Sequence, residues 1–364
     1  MRDPLSLPQP STQIRTSRIT VNKAKILSQR ALNHDTYKLV VACNEGSNAI
    51  HASAGQFVTL RFPSITLPRP YSLARNPKAE APGHHTFFIR LVPGGEVSEW
   101  LTKCDRSGTE IEVAGPLGAF GLDDATQPMI CIAGGSGMSA IMAMIEDACT
   151  RQVKRDCVFF YGARGRADLY CKEEIDELSD KWHSANSFKF VQVLSEEPTD
   201  SDWTGPRGLV TEHIDKDWIQ TGMINPVESS AFFCGPPPMI EAGTKMLMQS
   251  GMPRERIFRD VFEDARSPAP VIDNSRCVLC DECLLVKPVE HCIVETSGFD
   301  IVNHDQISGF RALKPSRSSG LYYNALFIDQ TECIRCYACV SACPHNAILP
   351  DYTLTKTLRQ RLNK

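Results

Sequence analysis

The sequence predicts a multidomain chain with an antiparallel β domain, an α/β domain with a doubly wound parallel sheet, and a small cysteine-rich domain. Three observations support this division. Short β-rich segments fill residues 18–125, and strand-like and helix-like segments alternate over residues 126–264. Eight of the 15 cysteines lie between Cys277 and Cys343. A chain of 364 residues is long enough for two or three such cores.

In the first domain, β-rich or alternating segments separated by Gly, Pro and Asn predict five strands. They are "ITVNKAKIL", "TYKLVVAC", "QFVTLRF", "TFFIRLV" and "TEIEVAG". One helix is predicted at "EVSEWLTK". Strands at this spacing indicate an antiparallel barrel or a sandwich.

The second domain begins with the buried-type strand "MICIAGG", which is followed by the predicted helix "MSAIMAMIEDACTRQ". Further strands are predicted at "DCVFFYG", "SFKFVQVLS" and "SAFFCG", with helices around "YCKEEIDELSDKW" and "PPMIEAGTKMLMQSG". The segment "EDARSPAPVIDN", residues 263–274, is interpreted as a linker to a third domain at 265–353. Disordered tails are expected at residues 1–17 and 354–364.

The composition excludes several classes of protein. A net charge of −4 without a basic cluster argues against a nucleic-acid partner. No run of 18 apolar residues is present, so no membrane span is expected. The N-terminus has no apolar segment typical of a signal peptide, and a cytoplasmic location is therefore expected.

Three short motifs could bind phosphates or a flat ring. The glycines of "AGGSG", residues 133–137, would let a phosphate approach backbone N–H groups at the start of a helix. In "RPYS", Arg69 and Tyr71 lie on one face of an extended segment, and "GGEVS" places Ser98 at a second glycine-to-helix corner. Each motif alone is also compatible with a tight turn, a surface arginine, a packed tyrosine or a capped helix.

Taken in order, the motifs "RPYS", "GGEVS", "GPLGAFGL", "AGGSG", "YGARGRADL", "CGPPPMI" and "RDVF" resemble the ferredoxin–NADP reductase superfamily over residues 18–264. The resemblance implies a six-stranded antiparallel β-barrel that binds a flavin, at residues 18–125. It also implies an α/β domain that binds a nicotinamide nucleotide, at residues 126–264.

The resemblance further implies roles for individual residues. Arg69 would contact the flavin phosphates, Tyr71 would stack on the isoalloxazine, and Phe262 would cover the flavin or anchor the linker. The residues implied for the flavin pyrophosphate are Gly95, Val97 and Ser98. Those implied for the nucleotide phosphates are Gly134, Gly135, Ser136 and Gly137. The candidate catalytic residues are Ser72 near the flavin N5, Cys234 near the nicotinamide, and Asp260.

Two cofactor choices follow from the same motifs. The segment "GPLGAFGL" would provide a surface for an adenine, which favours FAD over FMN. Arg164 and Arg166 follow the strand "CVFFYG", where a 2′-phosphate would favour NADPH. Asp168 complicates the local charge, and two solvated arginines are an equally good interpretation, so the electron donor is predicted only as NAD(P)H.

The cysteine-rich segment contains two runs with C-x2-C-x2-C spacing, which suits an iron–sulfur cluster better than a tetrahedral zinc ion. "CVLCDEC" supplies Cys277, Cys280 and Cys283. The second run, "CIRCYACVSACP", has the bacterial C-x2-C-x2-C-x3-C-P spacing. Disulfides are improbable in a chain without an export signal.

This segment resembles bacterial two-cluster ferredoxins, which implies a small α+β domain with two [4Fe-4S] clusters and crossed fourth ligands. Cluster one would use Cys277, Cys280, Cys283 and Cys343. Cluster two would use Cys333, Cys336, Cys339 and Cys292. The first run lacks the C-P ending, and an insert at residues 293–332 separates the runs.

Among the seven scattered cysteines, all except Cys234 are expected to be small buried hydrophobes. The motifs together predict an oxidoreductase that passes electrons from NAD(P)H through FAD and two clusters to a partner protein, the terminal component of an oxygenase or demethylase. One alternative is a subunit coupling NAD(P)(H) to an anaerobic reductase or dehydrogenase. Another is a non-catalytic interaction module holding structural zinc.

Overall fold

The computed structural model describes residues 19–44, 50–261, 269–274, 276–297 and 313–349. The described chain falls into two compact units, Thr20–Asp264 and a second one from Ala265 onward. Phe262 and both predicted tails lie outside the described residues. Within the described ranges, no helix is long and apolar enough to cross a bilayer.

The first part of the first unit is a six-stranded antiparallel barrel, as the resemblance implied. Its sheet order is β4-β3-β6-β1-β2-β5. The barrel is closed beyond β4, where Leu73 bridges to Phe87 and the Ala74 amide donates to the Thr86 carbonyl at 2.8 Å. The strands are β1 Thr20–Ala31, β2 Thr36–Cys43, β3 Phe57–Arg61, β4 Arg69–Ser72, β5 His84–Arg90 and β6 Glu110–Leu117.

One helix, α1 (Glu96–Lys103), follows β5 in the segment that predicted it. It buries Val97 and Leu101, which are four residues apart and therefore lie on one face. Both side chains join the barrel core, which is made mainly of aliphatic residues from the strands. This packing fixes the direction in which the N-terminus of α1 points.

The second part of the unit is a five-stranded parallel sheet of order β11-β10-β7-β8-β9. Its two central strands, β7 and β10, are buried throughout, as expected for a parallel sheet covered on both faces. Its strands are β7 Met129–Gly134, β8 Cys157–Ala163, β9 Phe188–Leu194, β10 Ser230–Gly235 and β11 Ile257–Val261.

Helices cover both faces of this sheet, which confirms the doubly wound prediction. α2 and α3 contribute Ile141 and Ile175 to one core cluster, while α4 and α5 contribute Val210 and Ile240 to another. The helices are α2 Met138–Thr150, α3 Lys172–Asp180, α4 Val210–His213 and α5 Pro237–Gln249. A π-helical turn, Ile214–Ile219, extends α4, and neither it nor α4 was predicted.

Among its described residues, the second unit contains three two-stranded antiparallel sheets and one short α-helix. β12 pairs with β17, β13 with β16, and β14 with β15. The linker prediction was wrong at its end, because Val271 and Ile272 form β12 and pair with Leu349 and Ile348. The elements are β12 Val271–Ile272, β13 Ile293–Thr296, β14 Lys314–Pro315, β15 Tyr322–Tyr323, β16 Ala325–Ile328, α6 Ala338–Ala342 and β17 Ile348–Leu349.

Candidate functional site

The three candidate catalytic side chains meet around one carboxylate oxygen. Ser72 ends β4, and Cys234 on β10 lies opposite Asp260 on β11. The Ser72 hydroxyl donates to Asp260 Oδ2 at 3.3 Å, and the Cys234 thiol donates to the same oxygen at 3.6 Å. The structure therefore brings the barrel and the parallel sheet together at this point.

Burial governs the protonation of this cluster. It raises the pKa of Asp260 from 3.8 to about 6, although the hydrogen bonds from Cys234 and Ser72 act in the opposite direction. Burial also raises the pKa of the Cys234 thiol well above its usual range, and the Asp260 charge adds to the effect. Cys234 is fully buried and stays a neutral thiol, so it can donate a hydrogen bond but is not a thiolate nucleophile.

The predicted phosphate-binding groups of the barrel lie together at the N-terminus of α1. Arg69 Nη2 donates to Glu96 Oε2 at 2.8 Å, which holds the guanidinium beside the first turn of the helix. Gly95 is the residue before that helix, but its amide donates to the Val92 carbonyl at 2.9 Å. The Ser98 hydroxyl accepts from the Val92 amide at 2.7 Å. The Gly95 amide is therefore occupied, and the first-turn amides of α1 are the groups that could receive an anion. Arg69 lies beside them, paired with Glu96.

Tyr71 lies two residues from Arg69 on the same strand, as predicted. Its ring packs edge-on against Phe62, with ring centroids 6.3 Å apart. Phe62 in turn contacts Trp100 of α1 at 5.0 Å. Burial raises the pKa of the Tyr71 phenol, so the side chain stays neutral. This packing holds a half-buried aromatic ring that could stack on a planar ligand.

A cavity of about 270 Å³ opens at the carboxyl ends of the parallel strands, where ligands bind in open α/β sheets. Three of the predicted residues, Gly134, Gly135 and Ser136, line it. Gly135 adopts φ of +53°, a conformation that favours glycine, and its carbonyl accepts a hydrogen bond from the Tyr170 hydroxyl at 3.0 Å. The wall is thus a glycine-rich backbone turn, as a bound dinucleotide requires.

Gly137 does not line this cavity in the described structure. A Cβ placed there would lie 2.0 Å from the Cys234 carbonyl oxygen, so glycine is needed for close contact between α2 and β10. The predicted phosphate role for Gly137 is therefore less well supported than its packing role.

The two predicted arginines are both paired with carboxylates. Arg164 lines the cavity and donates to both oxygens of Asp168 at 3.0 Å. Arg166 does not line the described cavity, and it pairs with Glu197 at 2.9 Å and with Asp202 at 2.5 Å. Each guanidinium would therefore have to leave a carboxylate partner in order to bind a phosphate.

The two cysteine runs have matching backbones. In each run the amide of the first cysteine donates to an aspartate carbonyl four residues earlier, Cys277 to Asp273 at 2.9 Å and Cys333 to Asp329 at 3.0 Å. Left-handed residues also occur at equivalent positions: Leu279 and Asp281 in the first run, and Arg335 and Tyr337 in the second. The first run is therefore built like the second, although it lacks the C-P ending.

Strand pairing crosses the two halves. β12 precedes the first run and pairs with β17, which follows the second run. β13 follows the first run and pairs with β16, which precedes the second run. The Asp273 amide donates to Ala347 and the Asp329 amide to Cys292, at 2.7 and 3.0 Å. This approximate twofold relation places the last cysteine of each half beside the other run.

The sulfurs accordingly group into two sets of four. One small cavity is lined by Cys277, Cys280, Cys283 and Cys343. Burial, together with the neighbouring Cys277, Cys280 and Cys343, raises the pKa of Cys283 to about 12. Cys292 lies near Cys333, Cys336 and Cys339. Charge on Cys333 raises the pKa of Cys292, and charge on Cys292 raises the pKa of Cys336 and of Cys339. The resemblance predicts the same two sets of four as cluster ligands.

Family models match three successive regions of the chain. Residues 23–121 match the oxidoreductase FAD-binding domain, residues 131–245 the oxidoreductase NAD-binding domain, and residues 326–349 the 4Fe-4S binding domain. A ferredoxin–NAD(P)+ reductase of Metapseudomonas resinovorans is 31% identical over 246 residues, which cover 66% of this chain and 68% of that protein. The chain belongs to the ferredoxin reductase family.

Other relatives of this chain include the xylene/toluene monooxygenase electron transfer component of Pseudomonas putida. It is 37% identical over 239 residues, 66% of this chain and 65% of that relative, so the match spans just under two thirds of the relative's length. The crystal structure of an Amycolatopsis cytochrome P450 reductase is 30% identical, with a TM-score of 0.59, and covers 68% of this chain and 71% of that one.

The spacing of the clustered cysteine sulfurs differs from that of a tetrahedral zinc site. A tetrahedral site with Zn–S bonds of about 2.3 Å needs sulfurs roughly 3.8 Å apart. All eight clustered cysteines are among the described residues, and no three of them have sulfurs within 4.8 Å of one another. A set of four cysteine sulfurs is also the usual donor set of an iron–sulfur cluster.

The scattered cysteines of the reductase follow the prediction with one exception. Cys43, Cys131, Cys149, Cys157 and Cys171 are buried. Cys104 is exposed, so the prediction of a buried hydrophobe was wrong there. It directly follows α1, where the chain leaves the barrel surface. His345, which lies beside the second cysteine run, is exposed.

Several residues of the reductase site were not predicted. Asp35, Thr36 and Arg90 from the barrel line the nucleotide cavity, and no local sequence signal identifies them. Asp281 is fully buried inside the first cysteine run. A carboxylate between closely spaced cysteines is a signal that could have identified it. A second missed signal is the repeat of "IDNSRCVLCDEC" (272–283) as "IDQTECIRCYAC" (328–339).

Proposed function

We propose that this chain is an NADH-dependent reductase that passes single electrons, through FAD and two [4Fe-4S] clusters, to the terminal component of a multicomponent oxygenase or demethylase. The observation that carries the proposal is the division of eight cysteines into two crossed sets of four, in a chain with flavin- and nucleotide-binding domains. A bound flavin exchanges two electrons with a nicotinamide and one with an iron–sulfur cluster, which explains why these domains occur together.

The barrel residues supply the flavin site in this proposal. Arg69 and the first-turn amides of α1 bind the pyrophosphate with Ser98 and the Val97 backbone, and the Gly95 turn orients them. The Tyr71 ring covers one face of the isoalloxazine, and its packing against Phe62 keeps it in place. Ser72 then presents its hydroxyl toward N5, oriented by the hydrogen bond to Asp260.

The nucleotide site is the cavity behind the glycine turn. Gly134, Gly135 and Ser136 receive the dinucleotide phosphates, and Gly137 permits the close packing that forms the turn. Cys234 lies at the end of β10 and orients the nicotinamide through its neutral thiol. These assignments make Ser72, Cys234 and Asp260 one hydrogen-bonded unit at the site of hydride transfer.

Electrostatics favour NADH as the donor. Asp35 and Asp168 line the cavity, and Arg164 is neutralised by Asp168. A 2′-phosphate, which carries up to two negative charges, would meet these carboxylates without an unpaired guanidinium. The ribose hydroxyl of NADH can instead donate to a carboxylate.

Two clusters follow from the cysteine sets. Cluster one would be bound by Cys277, Cys280, Cys283 and Cys343, and cluster two by Cys292, Cys333, Cys336 and Cys339. The 4Fe-4S family model matches only residues 326–349, so the first run rests on the shared backbone, the crossed strand pairing and the cavity lined by four cysteines.

The partner class rests on the relatives. Proteins similar to this chain are named as a reductase component of phenol 2-monooxygenase from a Pseudomonas strain and a reductase subunit of an aromatic O-demethylase from an Amycolatopsis strain. An oxygenase or demethylase component is therefore the proposed acceptor.

Iron, sulfide and flavin analysis of the purified chain tests the proposal. We expect one FAD, about eight iron and about eight sulfide per chain, because eight cysteine ligands suit two cubane clusters. Anaerobic addition of NADH should bleach both the flavin bands and the broad iron–sulfur absorption. Zinc in place of iron, or bleaching confined to the flavin bands, would refute it.

A further inference from the structure

A buried carboxylate connects the insert to the first cysteine run. Asp281 lies between Cys280 and Cys283, and its side chain is fully buried. Of the insert, the structure describes residues 293–297 and 313–332, and the part at residues 313–324 contains the hairpin of β14 and β15. We call this part the strap, since it lies across the loop that carries Asp281.

Three donors from the strap satisfy Asp281. Lys314 Nζ donates to Oδ1 at 2.9 Å, and the Arg317 amide donates to Oδ2 at 2.8 Å. The hydroxyl of Tyr323, a residue that is 1% exposed, also donates to Oδ1. A buried carboxylate without such donors would strongly destabilise the loop, so the strap and the loop depend on each other.

Lys314 makes a second contact with the loop, because its ammonium also donates to the Leu279 carbonyl. Leu279 and Asp281 have φ of 57° and 69°, in the left-handed region that non-glycine residues seldom adopt. Such residues persist only where their surroundings hold them. In the first run, those surroundings include the ammonium, phenol and amide of the strap.

The second run is held differently. At the position equivalent to Leu279 it has Arg335, whose own guanidinium donates to the Gln330 and Cys333 carbonyls. At the position equivalent to Asp281 it has Tyr337, which immediately precedes α6. The second run therefore stabilises its loop with a side chain of its own, whereas the first run uses side chains from the insert.

We propose that the strap is a positioning element for the first cluster: Asp281, Lys314 and Tyr323 hold the loop of Cys277, Cys280 and Cys283 in its ligand geometry, and retention of that cluster alone depends on them. The inference rests on the proposed two-cluster function. It assigns a role to an insert whose length otherwise distinguishes this chain from the ferredoxins that it resembles.

The test compares Tyr323→Phe with Tyr322→Phe in the full-length holoprotein. Both substitutions remove one phenolic hydroxyl and keep the ring. Tyr322 is 61% exposed, whereas Tyr323 is buried against Asp281. Iron release to a chelator is followed by absorbance, and the cysteines that become free are alkylated and identified by mass spectrometry. Lys314→Met is measured in parallel, because it removes the ammonium by a different substitution.

For Tyr323→Phe and Lys314→Met we expect half of the iron to be released roughly tenfold faster than in the wild type, since losing a hydrogen bond to a charged acceptor changes an equilibrium by about that factor. The cysteines alkylated in this fast phase should be Cys277, Cys280, Cys283 and Cys343. Release of the other half, and both phases in Tyr322→Phe, should match the wild type.

Equal acceleration of both halves, no acceleration in either variant, or alkylation of the second set in the fast phase would overturn the inference. Loss of both clusters during purification of Tyr323→Phe would also count against it, because the strap is assigned to one cluster only. Failure of the two-cluster proposal has a separate signature, which is about four rather than eight iron in the wild type.

Discussion

The two units assemble their redox groups in different ways. In the first unit, Ser72 and Asp260 are 188 residues apart in sequence and meet only because the barrel and the parallel sheet pack together. In the second unit, seven of the eight cysteines lie in two local runs, and the last cysteine of each half, Cys292 or Cys343, lies beside the other run. Side chains of the first unit should therefore control hydride-transfer rates, and those of the second should control cluster content.

The largest effect is expected when Cys292 or Cys343, the last cysteine of each half, is replaced. Cys292→Ser and Cys343→Ser should each lower iron from about eight to about four per chain, because each removes the crossed ligand of one cluster. Flavin content and NADH-dependent flavin reduction should stay at wild-type values. Iron and sulfide assays together with stopped-flow spectroscopy measure both quantities.

Cys104→Ser is the matched control, since Cys104 is exposed and lies in the first unit. It should leave all eight iron atoms in place. A Cys292→Ser variant with full iron content would remove Cys292 from the ligand set and contradict the crossed arrangement.

Local patterns in the sequence predicted most of the fold. The segment "EVSEWLTK" coincides with α1, and "TYKLVVAC" coincides with β2, because one contains a helical apolar face and the other β-rich residues. The short strand β4 and the strand β11 were recognised as motifs rather than as strands. Their pairing depends on neighbours that lie far away in the sequence.

The candidate site was predictable to a similar extent. Motif order identified Ser72, Cys234 and Asp260, which the structure brings together. Of the carboxylate partners of the two arginines, only Asp168 was noted from the sequence. Glu197 and Asp202 were not, because they approach Arg166 from the loop after β9. The strap contacts of Asp281 span more than 30 residues and depend on the folded insert.

The second prediction concerns the hydride-transfer site alone. Ser72→Ala and Asp260→Asn should each slow flavin reduction by NADH by about 100-fold, the scale expected for losing a positioned hydrogen-bonding group at a reacting centre. Iron content should stay unchanged, in contrast to the cysteine variants. A rate within twofold of wild type for both variants would show that this cluster is only structural.

The pH dependence sharpens the same point. Because burial raises the pKa of Asp260 to about 6, the carboxylate that accepts from Ser72 and Cys234 is ionised above that pH and protonated below it. A protonated carboxyl is the weaker acceptor, so flavin reduction should fall as the pH drops through 6. Asp260→Asn should show no such step, and a step that persists in this variant would assign it to another group.

The smallest expected effect is on the preference between NADPH and NADH, and it distinguishes Arg164 from Arg166. Asp168→Asn removes a carboxylate from the cavity wall and leaves Arg164 with only the longer ion pair to Asp35, at 3.6 Å. The ratio of kcat/KM for NADPH to that for NADH should rise roughly tenfold, as expected when one charged hydrogen bond becomes available to a phosphate.

Asp202→Asn is the control for this change. Asp202 pairs with Arg166, which does not line the cavity in the described structure, so the ratio should stay at its wild-type value. If Asp202→Asn shifted the ratio and Asp168→Asn did not, the 2′-position of the nucleotide would lie beside Arg166 instead. Since neither substitution touches the second unit, both variants should retain their full iron content, and a loss of iron in either would contradict the separation of rate control from cluster retention.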